Sequence, residues 1–442
     1  MTPSAEPQSS AWLVRWGPIL PLLLAEFILW VGFGALLPVL PLYTTHHGVD
    51  LANLGLVVAA WPAARLVFEP VFGWIADRTR RKPLMVIALI VTAGLIPLNL
   101  VSYGIVPFLV IRALTGAATA VYDPAARGFL VDATPADRQG EAFGLYSAAQ
   151  MGGLLFGPAI GGLGAYATHS DGFVFVFCGI ATALAGLAVL ALIHERPRSR
   201  AGTTVPSEGV GEMAATADGR ARDGEIALDD AGRPVRLVNR LLIVAIVVNL
   251  GSNFATGTYE VAWSLFLTSR GAGLDLIGAT FAMFAVPMIL LSPWAGRVVD
   301  RRGSLLFIIL GSLAPSIAAV LYTVMPDVRL AIPIILFESA GIAIAYPALY
   351  AIVSAASPAG RSATAQGLFG AAGTVGFILS SVIAGWLATF DLRLPFWFSS
   401  FTGAVALSLS MVVGARAILD LAARRQTARE ARPEGAVGGP VL

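Results

Sequence analysis

Seven ionisable residues fall inside stretches that are otherwise apolar: Glu26, Arg65, Glu69, Arg112, Asp123, Glu260 and Glu338. Charge in an apolar medium is expensive, so each is a functional candidate whose partner has to be found. The chemistry open to them is narrow. A carboxylate can take up and release a proton, a guanidinium can bias that exchange, and either can hold a charged solute. Glu26 lies mid-way along its stretch, with a side chain too short to reach a polar edge. Arg65 and Glu69, at i and i+4, share a helical face and read as a structural pair. Glu260 stands near the end of its stretch, where water would make a charge cheap. Asn249, Asn253 and Tyr259 add uncharged polar groups to the same stretch.

Other chemistries find little support. The single cysteine, Cys178, excludes an intramolecular disulfide framework and a cysteine metal site. The four histidines, His46, His47, His169 and His194, all fall near the ends of apolar stretches, so no metal cluster is expected. The one lysine, Lys82, precedes Pro83, whereas a phosphate-binding loop needs Lys before Ser or Thr after a glycine-rich turn. No Ser-His-Asp constellation is present. No enzyme activity, cofactor, metal or nucleic-acid partner is expected.

The elements that carry these residues follow from hydropathy. Of 442 residues 57% are hydrophobic and 13% charged, with a mean hydropathy of +0.77, too apolar for a water-facing surface. A helix crosses a bilayer core in about 20 residues. Runs of that kind sit at roughly 17–40, 52–74, 83–101, 105–131, 142–167 and 172–194. Six more lie at roughly 240–268, 275–298, 304–325, 329–354, 364–390 and 393–418. Residues 1–194 and 238–418 thus form two six-helix halves, joined by a polar linker at 195–237 without an aromatic residue. A tail follows at 419–442, polar and Arg-rich, and is expected to fray. The segment that precedes the first run lacks a secretory cleavage pattern, so no removable signal is expected.

Of the 29 Lys and Arg residues, only Arg270, Arg329 and Arg393 fall in the loops opposite the linker, with Arg65 and Arg112 inside spans. Positive loops stay in the cytoplasm, which puts the linker and both termini there. The halves also repeat one another at one constant offset: Gly73 and Asp77 return as Gly296 and Asp300, and Pro124-Ala125 as Pro347-Ala348. Gly153 and Gly162 return as Gly376 and Gly385. Six spans per repeat keep both copies in one orientation, which places a substrate site between them near the midplane.

The loop after the second span reads Gly73-Trp74-Ile75-Ala76-Asp77-Arg78-Thr79-Arg80-Arg81-Lys82-Pro83. Here the chain resembles the major facilitator superfamily, whose signature in this loop is G-x-x-x-D-R-x-G-R-R/K. Arg80 stands where that signature has its second glycine. Asp77, at the membrane edge, can cap the N-terminus of span eleven. Arg78 or Arg81 can pair with Asp132 at the end of span four. Contacts of this kind are expected only while the halves are closed on the linker side, which would give the loop a gating role besides setting topology.

Span five carries Gly152-Gly153 and then Gly157-Pro158-Ala159-Ile160-Gly161-Gly162. Small residues at this spacing admit close helix contact in any membrane protein. Gly153, Gly157, Pro158, Gly161 and Gly162 also resemble the antiporter motif of the superfamily's drug:proton exporters. The second-half copy has Ser380-Ser381 in place of Gly-Pro. Arg112 to Gly116 resembles an R-x-x-x-G motif whose arginine is associated with proton coupling.

The resemblance implies an all-α fold of twelve transmembrane helices in two parallel six-helix repeats, with spans one, four, seven and ten lining a central cavity. Glu26, Arg112, Asp123, Asn249, Asn253, Glu260 and Glu338 would line it as the proton and substrate site, with Glu26 first. It further implies a monomeric, proton-coupled exporter of small drug-like molecules in the cell membrane. An importer or uniporter of sugars or organic solutes, and a non-transporting membrane sensor, remain open beside it.

Overall fold

A computed structural model describes residues 15–135, 138–195, 238–302, 304–357 and 362–430. Helix α1 covers Leu20–Leu36 and resumes after a 45° bend as Leu40–His46. The sequence reading has one straight span ending near 40. Pro38 explains the break, because it offers no N–H to the turn before it. Next come α2 (Leu51–Arg78), α3 (Arg81–Leu95), α4 (Ile105–Ala133), α5 (Gln139–Thr168) and α6 (Phe173–Leu192). Helix α3 tightens into a 3₁₀ turn, Ile96–Val101, at Pro97. The second set is α7 (Arg240–Ser269), α8 (Leu274–Arg302), α9 (Leu305–Val324), α10 (Ala331–Ala356), α11 (Ser362–Ala388) and α12 (Leu394–Glu430).

Ten of these are long and apolar enough to cross a membrane, and the bent α1 makes eleven. The twelfth, α5, is 30 residues long, but its glycines dilute its hydropathy. Helix α12 runs past the expected end of its span to Glu430. Residues 416–430 hold four Ala, four Arg and two Leu, which favour helix outside lipid as well.

Four buried clusters show how the helices associate. One gathers Leu22, Leu29, Met85, Tyr122, Phe129 and Tyr146, all from the first six helices. Another gathers Leu242, Val299, Ile308, Leu349 and Phe369, all from the last six. Both sit at the end of the bundle where α1 and α7 begin, here termed the linker end. At the distal end the halves mix. Tyr43, Leu54, Phe108 and Phe175 pack with Val261 and Ala384, and Leu42 packs among Trp263, Phe266 and Phe396. The halves are therefore joined distally, while each keeps its own core at the linker end.

Two glycine contacts make the distal join close. A Cβ on Gly162 of α5 would lie 2.9 Å from the Gly278 Cα of α8. One on Gly385 of α11 would lie 2.8 Å from the Gly55 nitrogen of α2. Gly385 and Gly278 are the second-half counterparts of Gly162 and Gly55 at the offset of the repeat. The internal repeat thus yields two equivalent contacts between the halves.

Candidate functional site

Glu26, on the inner face of α1, is fully buried. Its Oε1 accepts from Trp30 Nε1 at 2.9 Å and Gln150 Nε2 at 2.6 Å, and its Oε2 from the Tyr122 hydroxyl at 2.7 Å. Three helices, α1, α4 and α5, each supply one donor, so the carboxylate is enclosed by groups that can all donate to it. Trp30 was readable as the i+4 neighbour of Glu26. Tyr122 and Gln150 were not identified from the sequence, although Gln150 is a lone amide in a glycine-rich span.

Asp123 follows Tyr122 and faces α2, where it forms a close ion pair with Arg65. Arg65 also reaches Glu69 at 3.6 Å, and its guanidinium lies 4.8 Å from the centre of the Trp61 ring. Arg127, one turn beyond Asp123, bonds Glu69 at 3.4 Å and approaches Asp123 at 3.9 Å. The expected Arg65–Glu69 pair is thus half of a network of four charges between α2 and α4. Arg127, not singled out in the sequence, stands in α4 with its side chain half exposed.

Arg112 does not contact Glu26. It is buried, donates to the Val57 and Val58 carbonyls of α2 at 3.4 and 3.3 Å, and pairs with Glu260 of α7 at 3.4 Å. Glu260 therefore has a charged partner from the other half rather than open water. Asn249 donates to the Phe369 carbonyl at 2.7 Å, and Asn253 to the Asn249 side-chain oxygen at 2.9 Å. Glu338 lies within the last six helices, where its Oε2 accepts from Tyr322 of α9 at 2.8 Å. Tyr259, Trp263, Tyr322 and Phe396 form the aromatic cluster around it, with ring centres 4.6 to 6.3 Å apart. The seven candidates are spread over several places rather than drawn into one constellation.

At the end of α2, Arg78 folds back over the Trp74 ring at 4.0 Å and donates to the Trp74 carbonyl. Arg81 takes Asp132 at 3.4 Å, in space left by Gly128. Both belong to the first half, so this pair is made within one half and does not itself bridge the two. Arg80 has φ −71° and ψ 132°, an extended conformation that asks for no glycine. Glu195, missed in the sequence, accepts from the Arg81 and Lys82 backbone N–H groups at 2.8 and 3.4 Å and so caps α3. Asp77 is exposed at the end of α2. The approach to α11 and the Asp300 side chain lie outside the described residues, as do most of the linker and the end of the tail.

The glycines of α5 divide between two neighbours. Gly153, Gly157 and Gly161 admit the α1 backbone at Phe27, Val31 and Ala35, and Pro158 lies against Gly34. Gly162 instead meets α8, where the Gly278 position also faces the Pro158 carbonyl. Helix α5 therefore links the helix bearing Glu26 to the opposite half.

The sequence model of the Major Facilitator Superfamily matches residues 22–259 and 241–438. The chain belongs to the Major Facilitator Superfamily. It is 30% identical over 173 residues to the quinolone resistance protein NorA of Staphylococcus aureus, a match covering 39% of this chain and 44% of that relative's length. It is 24% identical over 387 residues to the class B tetracycline resistance protein of Escherichia coli, covering 83% of this chain and 87% of that one. Among solved structures, a bacterial homologue of the human lysosomal transporter Spinster, inward-facing and unoccupied, superposes with a TM-score of 0.67 at 15% identity, covering 96% of this chain and 99% of that one. The nucleoside transporter NupG superposes with a TM-score of 0.69 at 14% identity, covering 89% and 98%. These superpositions show the superfamily fold.

Proposed function

We propose that this superfamily member is a proton-coupled exporter of small drug-like molecules, working by alternating access with the linker end and both termini in the cytoplasm. The observation that carries the reading is Glu26: an acid held away from water in a span, with a donor from each of three helices. A group so enclosed takes part in transport when the helices around it move. Helix α5 supplies one of those donors and also touches the opposite half, so relative motion of the halves reaches the carboxylate. Drug resistance relatives and the glycine pattern of α5 favour export.

On this orientation the join between the halves lies on the outer side. The Asp123–Arg65–Glu69–Arg127 network then stands on the cytoplasmic side of Tyr122 and would offer acids along which a proton can leave. The test is flux in liposomes holding the purified protein, with a lipophilic organic cation as probe. Probe movement against its own gradient when a pH gradient is imposed supports the reading. Movement only down the probe gradient, at any pH difference, leaves a uniporter. Probe carried in the same direction as protons would make it an importer, and no movement of any solute in a broad panel would leave a sensor.

A further inference from the structure

We infer that the distal face of the second half carries a binding site for the phosphodiester of an anionic lipid, formed by Arg270 and Arg393. The orientation given above puts this site at the outer leaflet. The site is otherwise independent of what is transported and of the driving ion. The loops opposite the linker hold three cations, Arg270, Arg329 and Arg393. Arg270 comes from the loop after α7 and Arg393 from the loop before α12, yet both line one open cavity of about 410 Å³, with Phe266, Ser269, Asp391 and Leu392. Cations are sparse in such loops, and topology alone gives no reason for two of them to meet.

Arg270 is held in place. It donates to the Thr323 and Met325 carbonyls at the end of α9, at 3.1 and 3.0 Å, and lies 5.3 Å from the centre of the Phe266 ring. Those bonds use two of a guanidinium's five N–H donors. Among the described residues, neither Arg270 nor Arg393 has a carboxylate within ion-pair distance. Asp391, the acid of the cavity, accepts from the Arg393 backbone N–H at 2.8 Å in the turn that opens α12. Two positive charges thus stand against one negative, and the free forks suit phosphate oxygens. The apolar part of the ligand follows from α12. Leu394, Trp397, Phe401 and Val405 are exposed. At i, i+3, i+7 and i+11 they form a stripe down one face of that helix, beginning beside Arg393. A lipid whose phosphate sits on the two arginines lays an acyl chain along this stripe. A free anion would use the cations alone.

The experiment maps lipid contact directly. The full chain is placed in nanodiscs that hold phosphatidylglycerol with a photoreactive acyl chain as a minor component, and adducts are located by peptide mass spectrometry. Adducts should concentrate on residues 394–405. Arg393→Gln, at an exposed position, should lower them by about tenfold, the scale of losing one charged hydrogen bond. Adducts at the linker end of the same protein should stay as they were, which controls for folding and for lipid content. Arg329→Gln removes a distal cation outside the cavity and should change nothing. Equal labelling of residues 394–405 by photoreactive phosphatidylcholine would overturn the site, because it would reduce the contact to bulk lipid on an exposed helix. Unchanged labelling in Arg393→Gln, or an equal loss in Arg329→Gln, would overturn it as well. Labelling that vanishes in excess inorganic phosphate, but not in chloride of the same ionic strength, would give the cavity to a free anion and overturn the lipid. A failure of the proposed transport would appear in the flux assay and leave these adducts as expected.

Discussion

Glu26 and Glu338 are both carboxyl groups closed off from solvent, yet their surroundings make different demands on a substitution. Around Glu26 the three donors leave room for an amide. A glutamine oxygen can accept from Trp30 and Gln150 while its NH₂ group donates to the Tyr122 hydroxyl, which can turn to accept. Glu26→Gln should therefore insert and fold normally. It should also lose at least about tenfold of pH-gradient-driven flux in liposomes, a factor worth about 1.4 kcal/mol. Full gradient-driven flux in that variant would remove Glu26 from the proton site. Tyr122→Phe takes away one donor without changing the ring, and should lower stability by about 1–3 kcal/mol, read as a lower melting temperature in detergent. The acid itself was legible in the sequence because a lone carboxylate in an apolar span stands out. Its partners were not: Tyr122 and Gln150 are 96 and 124 residues away, and only the rotational setting of α4 and α5 against α1 brings them in. The same holds for Arg112, whose type and span were readable but whose choice of Glu260 over Glu26 depends on how deep each side chain sits.

At the scale of the helix, α5 joins two interfaces with one run of small residues. Pro158→Ala should leave the fold intact, because Pro158 already sits in continuous helix, and should reduce substrate flux while raising proton leak. Unaltered flux at unaltered expression would mean that Pro158 serves packing alone. Gly162→Ala acts on the other interface. Its methyl group would run into the Leu274 carbonyl and stand 2.9 Å from the Gly278 Cα, a degree of overpacking that costs about 1–3 kcal/mol. In this variant the distance between spin labels at Ser170→Cys and Asp391→Cys, one on each half at the distal end in a Cys178→Ser background, should lengthen. Hydropathy placed the helices well, because every span has to be apolar over a bilayer's thickness. It placed their irregularities poorly. Pro38 bends α1 and α12 continues beyond lipid on helix propensity, neither of which a running average of hydrophobicity registers, while the glycines of α5 lower that average within a real helix.

For the whole molecule, orientation remains the most direct prediction of the arginine pattern. In a Cys178→Ser background, a cysteine replacing Asp391 should react with an impermeant thiol reagent in intact cells, and one replacing Gly219 should not. Reaction at Gly219 would invert the assignment of the linker to the cytoplasm. The internal repeat was visible as matching residues at one offset, but what those matches do became clear only in three dimensions. Gly162 against Gly278 and Gly385 against Gly55 are one contact made twice. They are the isologous patch of a two-fold dimer, here written into a single polypeptide. A six-helix ancestor meeting its own copy would have needed just one such pair of glycines, and any change to it would have struck both sides together. In a single chain each side is free to differ. One helix turn away the copies do differ, Gly157-Pro158 in one corresponding to Ser380-Ser381 in the other, while the four glycines that touch across the axis match in both.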